Sequence, residues 1–141
     1  MRYLSNKEIR SLKNILEKYG ISEDRLFEKE GIIFDNRKKP VLFNYEGNYY
    51  PTLYCDLSSL KKVVVDMNAV KFIASGADIM RPGIKHLDDF NKDEIVKVVD
   101  EKNNVALAIG NALFSSEEIK AMEKGKVIKN LHYVGDKIYK S

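Results

Sequence analysis

Cysteine, histidine and tryptophan are scarce in this chain, which contains one cysteine, two histidines and no tryptophan. The single cysteine, Cys55, cannot form an intramolecular disulfide or a cysteine-based metal site, and its isolation is typical of a reducing compartment. The histidines, His86 and His132, belong to no metal-ligand spacing, and we expect both to be surface or interface residues. The composition therefore predicts no metal and no other cofactor.

Long apolar runs and a strong charge bias are also missing. The longest apolar stretches, such as residues 105–109, are too short to span a bilayer, and the N-terminus has no apolar core of signal-peptide type. The 24 lysines and arginines nearly balance the 21 aspartates and glutamates, for a formal net charge of +3. Such a balance does not by itself indicate nucleic acid, so the placement of the lysines matters more. A cytoplasmic protein without membrane contact is predicted.

No arrangement of side chains in the sequence favours catalysis. The adjacent acidic pairs, Asp88–Asp89 and Glu117–Glu118, diverge in direction along a strand or helix, so their spacing does not make an acid and a base. Cys55 has no histidine nearby to activate it and is expected to be a small, partly buried apolar residue. Glycine loops with Walker or dinucleotide spacing are absent. We therefore predict that the protein is not an enzyme.

The first sixty residues predict helices followed by short strands. Ser5 and Glu8 have the spacing of a capping box, and apolar residues then recur at helical intervals, which predicts a helix over residues 6–19. The segment "SEDRLFEKEG" predicts a second, shorter helix capped by Ser22. The segments "GIIFD", "PVLFNY" and "YYPTLY" are rich in strand-forming residues, and Pro51 marks an edge strand or a strand end.

The rest of the chain predicts a β-rich module with two short helices, which begins near residues 56–60. The segment "KKVVVD" predicts a buried strand, and "NAVKFIASG" predicts a helix capped by Asn68 and ended by a left-handed Gly76. The segments "EIVKVVD" and "VALAIGNAL" predict a hairpin, and the small residues Ala106, Ala108 and Gly110 of the second suit close approach by another backbone or a helix. The segment "SSEEIKAMEKG" predicts a second capped helix. Gly135–Asp136 is predicted to turn between two final strands. Many short strands separated by turns favour a small, partly closed barrel.

A binding surface is the remaining hypothesis, and it centres on the stretch "IASGADIMRPGI". The helix end at Gly76 and the corner at Pro82–Gly83 are expected to present main-chain donors where no Cβ blocks a ligand. Lys71, Arg81 and Lys85 add positive charge, and lysines alternate with aromatic rings near the C-terminus. Such groups can hold phosphates and stack bases. The alternative, that the rings fill the barrel core and the lysines confer solubility, stays open.

The segment "VVVDMNAVKFIASGADIMRPGI" resembles the opening half of a PUA domain, the RNA-binding module named for pseudouridine synthases and archaeosine transglycosylases. The shared pattern is a strand ending in Val-Asp, a helix with Ala-x-Lys-Phe, and a Gly-Ala-x-x-Met-x-Pro-Gly-Ile segment. The resemblance covers about residues 61–140, and "PVLFNYEGNYYPTLY" resembles the pre-PUA region of one group. That group comprises the human multiple-copies-in-T-cell-malignancy protein, its yeast translation-machinery-associated counterpart, the ligatin-type initiation factor and archaeal homologues.

This resemblance implies an α+β protein with two domains. An N-terminal α/β pre-PUA module spans residues 1–60, and a C-terminal PUA β-pseudobarrel with short helices spans residues 61–141. The implied function is RNA binding in the translation apparatus during initiation or recycling, with the tRNA acceptor end on the PUA face. The implied partners are the small ribosomal subunit and, at the N-terminal module, a possible protein. With Lys85 added from the charge pattern, the expected RNA-binding residues are Lys71, Gly76, Ala77, Arg81, Pro82, Gly83, Ile84, Lys85, Tyr133 and Lys137.

Two other functions stay open at this point. PUA domains also occur in factors for rRNA or tRNA modification and for ribosome assembly, and an accessory factor needs no catalytic domain. A protein-interaction adaptor would use the tyrosines at 45, 49, 50 and 54, although these rings also suit a core.

Arg81 directly precedes the corner at Pro82–Gly83. We expect Arg81→Ala to weaken RNA binding with little change in thermal stability.

Overall fold

The computed structural model of the chain describes residues 1–140, with side chains up to residue 138. Their helices and strands form two compact units. The first unit contains Met1–Ser59 and the segment from Lys137 onward, and the second contains Leu60–Asp136. Within residues 1–140, no helix combines the length and the apolar character needed to cross a membrane.

A five-stranded antiparallel sheet, in the order β1-β2-β3-β4-β5, forms the first unit. Its strands are β1 (Arg2–Tyr3), β2 (Phe27–Lys29), β3 (Ile32–Phe34), β4 (Pro40–Tyr45) and β5 (Asn48–Pro51). Its helices are α1 (Asn6–Ser11), α2 (Lys13–Lys18) and the C-terminal α5 (Lys137–Lys140). The fully buried side chains of this unit include Leu16 of α2, Ile33 of β3, Leu42 of β4 and Leu26, which directly precedes β2.

The first predicted helix is present but interrupted. Ser5 and Glu8 form the expected capping box, in which Glu8 N donates to Ser5 Oγ at 3.1 Å. The chain leaves the helix at Leu12, where φ is −96° and ψ is 0°, and then resumes as α2. The prediction of one continuous helix over residues 6–19 is therefore wrong at this break.

The second predicted helix does not form. Phe27 pairs with Phe34 across the hairpin of β2 and β3, and their rings stack with centroids 5.5 Å apart. Both rings are buried, and burial against a neighbouring strand outweighs the local capping pattern at Ser22. The prediction from "SEDRLFEKEG" was therefore wrong because tertiary pairing, which the local pattern does not contain, decided the conformation.

Of the four tyrosines considered for an adaptor surface, Tyr45, Tyr49 and Tyr50 are half-buried, whereas Tyr54 is 39% exposed. Tyr49 and Tyr50 lie half-buried on the edge strand β5, and the ring of Tyr50 lies 6.2 Å from Phe43 and 6.4 Å from Tyr45. Cys55 is half-buried, as predicted, and its Sγ donates to Val41 O at 3.0 Å, while burial raises the pKa of its thiol. An adaptor surface at the tyrosines stays a prediction.

A six-stranded sheet in the order β7-β11-β10-β9-β6-β8 forms the second unit. Its elements are β6 (Lys62–Val65), α3 (Met67–Ile73), β7 (Ile79–Met80), β8 (Ile84–Leu87), β9 (Ile95–Asp100), β10 (Ala106–Ala112), α4 (Ser116–Lys120) and β11 (Lys126–Tyr133). The edge strands β7 and β8 are joined only by a 3-10 turn at Arg81–Gly83. Because so short a link keeps the two edges together, the sheet curls into a nearly closed pseudobarrel. The turn, called the corner below, lies at the seam of this barrel.

Small residues in β10 allow close packing against β11, as the sequence predicts. A Cβ atom at Gly110 would lie 2.5 Å from Ile128 Cγ2 and 3.0 Å from Lys129 O. The barrel core around this contact is apolar and includes the fully buried Val63, Val65, Val96, Val98 and Ile128. Only glycine fits at position 110, because any side chain would collide with the facing strand.

The end of β11 departs from the prediction. Asp136 Oδ2 accepts hydrogen bonds from Tyr133 N at 2.9 Å and from His132 Nδ1 at 2.7 Å. These bonds turn the chain into α5, so the predicted hairpin at Gly135–Asp136 between two strands is wrong. His132 is 0% exposed rather than at a surface, and burial lowers its pKa against the opposing effect of Asp136. His86 is exposed, as expected.

Candidate nucleic-acid interface

The start of α3 is fixed against the corner. The Asp66 side chain accepts from Ala69 N at 3.1 Å and is the N-cap, so the prediction of Asn68 as the cap is wrong by two residues. Asp66 takes this role because its backbone is extended directly after β6, whereas Asn68 already lies within the helix. The backbone N–H of Asp66 also donates to Gly83 O at 2.9 Å, which ties the helix start to the corner.

The segment after α3 turns at Gly76, which has the predicted left-handed conformation with φ +105°. Ala77 N donates to Phe72 O at 2.9 Å and Gly76 N donates to Ile73 O at 3.0 Å, the pattern of a Schellman-type helix end. These bonds occupy the backbone N–H groups that we expected to be free to bind a ligand. That expectation is wrong for Gly76 and Ala77, because the last carbonyl groups of the helix accept both N–H groups.

Tyr133 covers the side of Gly76 where a Cβ atom would point. Such an atom would lie 2.9 Å from Tyr133 Cζ and 3.0 Å from its hydroxyl oxygen. A Cβ atom at Gly135 would likewise lie 2.7 Å from Ala74 O. The structure thus brings Gly76 and Tyr133 together. The space left by the absent side chain of Gly76 is filled by the Tyr133 ring and is not open to a ligand.

Asn130 of β11 clamps the loop that follows α3. Its Nδ2 donates to Ile73 O at 3.1 Å and to Ala77 O at 3.0 Å, and its backbone N–H donates to Asp78 Oδ1 at 2.8 Å. The other carboxylate oxygen of Asp78 pairs with Lys126 Nζ at 3.4 Å. Both carboxylate oxygens of Asp78 are therefore committed to holding β11.

Replacing Asn130 by aspartate should loosen this loop. Asn130→Asp removes both donors and places a carboxylate against two carbonyl oxygens, so we expect the free energy of unfolding to fall by about 2–4 kcal/mol. The matched control is Asn48→Asp, which makes the same change at an exposed position of β5 and should cost less than about 0.5 kcal/mol. Urea unfolding of both variants measures the difference. Equal midpoints would show that the clamp carries no stability.

An apolar cleft of about 260 Å³ lies between α3 and β7 and includes the inner side of the corner. Its walls include two residues expected from the sequence, Ala77 and Gly83, together with Ala69, Phe72 and Met80. Phe72 and Met80 are 58% and 50% exposed, which is unusual for side chains of this size and apolar character. The cleft therefore offers a concave, apolar surface with two accessible large side chains at its edge.

Positive charge lies beside this cleft. Lys71 Nζ lies 5.2 Å from the ring centroid of Phe72, within the range of a cation–π contact. Pro82 is exposed at the corner, and Lys85 is exposed on β8. An aromatic face, a lysine and an open apolar cleft together are the combination that binds a nucleobase and its phosphate.

Arg81 is anchored in the fold. Its Nε donates to Ile119 O at 2.7 Å and to Met122 O at 3.0 Å, which places a cation at the C-terminal end of α4. Its backbone N–H donates to Gly125 O at 2.8 Å. Because these bonds hold the corner, we now expect Arg81→Ala to lower stability as well as RNA binding. Contact between Arg81 and RNA stays a prediction.

Two further residues were expected to bind RNA, Ile84 and Lys137. Ile84 is only 8% exposed and belongs to the barrel core, so little of its side chain can touch RNA. Lys137 lies in α5 of the first unit, and its role in binding stays a prediction. Within residues 1–140, no three His, Cys, Asp or Glu side chains converge as metal ligands would.

Sequence reasoning missed three residues that shape this surface. Phe72 could have been identified from its place in the Ala-x-Lys-Phe pattern, directly after Lys71. Met80 could have been identified as an apolar residue directly before the corner. Asn130 had none, because its partners lie 52–57 residues away along the chain.

Two family models match the chain. The PUA domain model matches residues 61–134, and a model described as a domain of unknown function (DUF1947) matches residues 2–58. The first match contains α3, the corner and β11, which build the cleft and its clamp. The second lies within the first unit.

Among curated proteins, an uncharacterized protein of Methanocaldococcus jannaschii is 40% identical over 97% of this chain and 93% of its own length. Translation machinery-associated protein 20 of Schizosaccharomyces pombe is 36% identical over 84% of this chain and 68% of its own length. The Malignant T-cell-amplified sequence 1 homolog of Dictyostelium discoideum is also 36% identical, over 82% of this chain and 64% of its own length.

Solved structures share the architecture. A hypothetical protein of Pyrococcus horikoshii matches with a TM-score of 0.77 and 28% identity, over 99% of this chain and 97% of that chain. A chain in an H/ACA ribonucleoprotein bound to a substrate RNA matches with a TM-score of 0.54 and 26% identity. That match covers 60% of this chain and 26% of the ribonucleoprotein chain.

Proposed function

Since the chain belongs to the PUA-domain family, we propose that it binds structured RNA as part of the translation apparatus, with the acceptor end of tRNA on the α3 face. The observation that carries the proposal is the apolar cleft with Phe72 and Met80 exposed at its edge and Lys71 above the Phe72 ring. The name of the fission yeast relative supports the link to translation. The ribonucleoprotein match supports RNA as the ligand.

The single-stranded 3′ end of tRNA suits this surface better than a duplex. The bases of this end are unpaired and can be splayed out into a concave apolar site, whereas an RNA helix presents mainly phosphates and 2′-hydroxyls. Phe72 offers a ring for stacking, and the Lys71 ammonium lies close enough to meet a neighbouring phosphate. The proposal assigns binding and no catalytic step to these residues.

The small ribosomal subunit is the proposed larger partner, and the proposed place of action is the cytoplasm. The N-terminal unit then contributes contacts to the subunit or to a partner protein. The name of the Schizosaccharomyces pombe relative, Translation machinery-associated protein 20, supports this assignment. The half-buried tyrosines of β5 are available for such contacts, because aromatic side chains are common at protein interfaces.

Binding of deacylated tRNA across a salt series tests the proposal. We expect binding at low salt that weakens as salt rises, because phosphate contacts release counterions. A matched tRNA that lacks its single-stranded 3′ end should bind at least about tenfold more weakly, since base stacking contributes about 1–3 kcal/mol per base. Equal affinity for the two RNAs would contradict acceptor-end recognition, and no binding at low salt would contradict RNA binding itself.

A second function is favoured by one observation, the match to an H/ACA ribonucleoprotein chain. An accessory factor in rRNA modification or ribosome assembly would use the same surface on a different RNA. Sedimentation of cell extracts separates the two functions. Association with mature small subunits supports translation, whereas association only with precursor particles supports assembly.

A further inference from the structure

A second concavity adjoins the corner outside the apolar cleft. It has a volume of about 230 Å³ and is lined by Arg81, Ile84, Lys85, His86, Leu87 and Lys120. The cationic groups come from the corner and β8, which are continuous in sequence, and from α4, which meets them only in the folded barrel. This concavity is called the basic pocket below.

The guanidinium group of Arg81 is held in one orientation within the basic pocket. Its Nε is fixed by two carbonyl groups, Ile119 O and Met122 O. Its two Nη groups have no hydrogen-bond partner among the residues that the structure describes. A guanidinium fixed at Nε with open Nη groups is preorganised to donate to the oxygens of a phosphate.

Acidic side chains neutralise the basic pocket only in part. Lys120 Nζ lies 3.7 Å from Asp89 Oδ1, but the Asp89 side chain is 93% exposed, and such surface pairs are weak. His86 Nε2 lies 3.2 Å from Asp88 Oδ1, and the other oxygen of Asp88 accepts from Lys62 N. Neither Arg81 nor Lys85 has an ion pair within residues 1–140, so the basic pocket keeps an excess of positive charge.

We propose that the basic pocket binds a phosphate group of the same RNA whose base enters the apolar cleft. Arg81 donates from its Nη groups, and Lys85 and Lys120 neutralise the charge of the phosphate. The corner links the two sites, because Gly83 lines the cleft while Arg81 lines the basic pocket. This inference rests on the proposed function, and it adds Lys120 of α4 to an interface otherwise built from α3, β7 and the corner.

Lysine variants test the proposal, since replacing Arg81 would also remove the bonds that hold the corner. Lys85→Ala and Lys120→Ala should each weaken tRNA binding about tenfold at low salt, as expected for the loss of a charge-assisted phosphate contact. Each should also reduce the salt slope of log K by about 0.7–0.9. Both side chains are exposed, so thermal melting should show little change.

The matched control is Lys102→Ala, which removes the same charge from an exposed turn between β9 and β10. It should change tRNA affinity less than about twofold, because only long-range attraction is lost. If tRNA binds the wild type but the Lys85→Ala/Lys120→Ala variant loses no more affinity than Lys102→Ala, the phosphate site in the basic pocket is overturned. The proposed function of RNA binding then still stands. If the wild type does not bind tRNA at all, the proposed function falls and this inference falls with it.

Inorganic phosphate is a second probe and identifies the source of the phosphate. We expect it to compete with tRNA on the wild type and to shift the ring resonances of His86, which lines the basic pocket. The double variant should lose that shift. A shift on the wild type combined with unchanged tRNA affinity in the double variant would indicate a site for free phosphate and would overturn the assignment to RNA.

Discussion

Gly76→Val should lower the free energy of unfolding by about 3–5 kcal/mol and abolish measurable RNA binding. A β-branched residue at φ +105° costs about 1–3 kcal/mol. The new side chain would also meet the Tyr133 ring, which lies 2.9 Å from the Cβ position, and overpacking of this kind costs a further 1–3 kcal/mol or so. RNA binding should fail because the loop between α3 and β7 forms one wall of the cleft.

Gly125→Val separates the two causes. Gly125 has φ +100°, nearly the same as Gly76, but nothing lies within 4 Å of its Cβ position. Its substitution should therefore cost only the conformational part, about 1–3 kcal/mol. Urea unfolding of both variants gives the difference. If the two variants are equally unstable, the packing of Tyr133 on Gly76 contributes nothing.

The combined change Phe72→Ala/Met80→Ala should weaken tRNA binding by roughly 10- to 100-fold, because it removes the two large side chains at the edge of the cleft. Both are half exposed or more, so the folded protein loses little packing and the melting temperature should fall by only a few degrees. Affinity measured by fluorescence anisotropy with labelled tRNA tests this expectation.

Val105→Ala is the control for that experiment. Val105 is 53% exposed in the same unit, but it does not line the cleft. Its loss should leave tRNA affinity within about twofold, since an isolated exposed apolar residue is common on protein surfaces. If Phe72→Ala/Met80→Ala binds tRNA as well as Val105→Ala does, the cleft does not receive a base.

Predictions succeeded where a local pattern fixes the conformation. The capping box at Ser5 and Glu8, the left-handed Gly76 and the close approach at Gly110 are all present. They failed where cross-strand pairing or a side-chain hydrogen bond outside the recognised pattern decides the conformation. The helix expected at Ser22 is replaced by pairing of Phe27 with Phe34, and the hairpin expected at residues 135–136 is replaced by a turn that Asp136 holds.

The candidate site shows the same division. The sequence located the stretch "IASGADIMRPGI" and the cations beside it, because a helix end, a proline corner and charged residues are local features. It could not show that Tyr133 covers Gly76, or that Arg81 bonds to carbonyl groups at the end of α4. Both contacts join segments about 40 to 60 residues apart, and neither has a periodicity to reveal it.

By itself, the sequence determined the order of most helices and strands, the family pattern around Lys71 to Ile84, and the scarcity of residues for metal or thiol chemistry. The tertiary structure decided which of those residues are accessible. It buries Ile84, commits the Arg81 Nε to the fold, exposes Phe72 and Met80, and gathers Lys85 and Lys120 around one pocket. The physical reason is closure of the barrel, which brings together side chains that no local pattern relates.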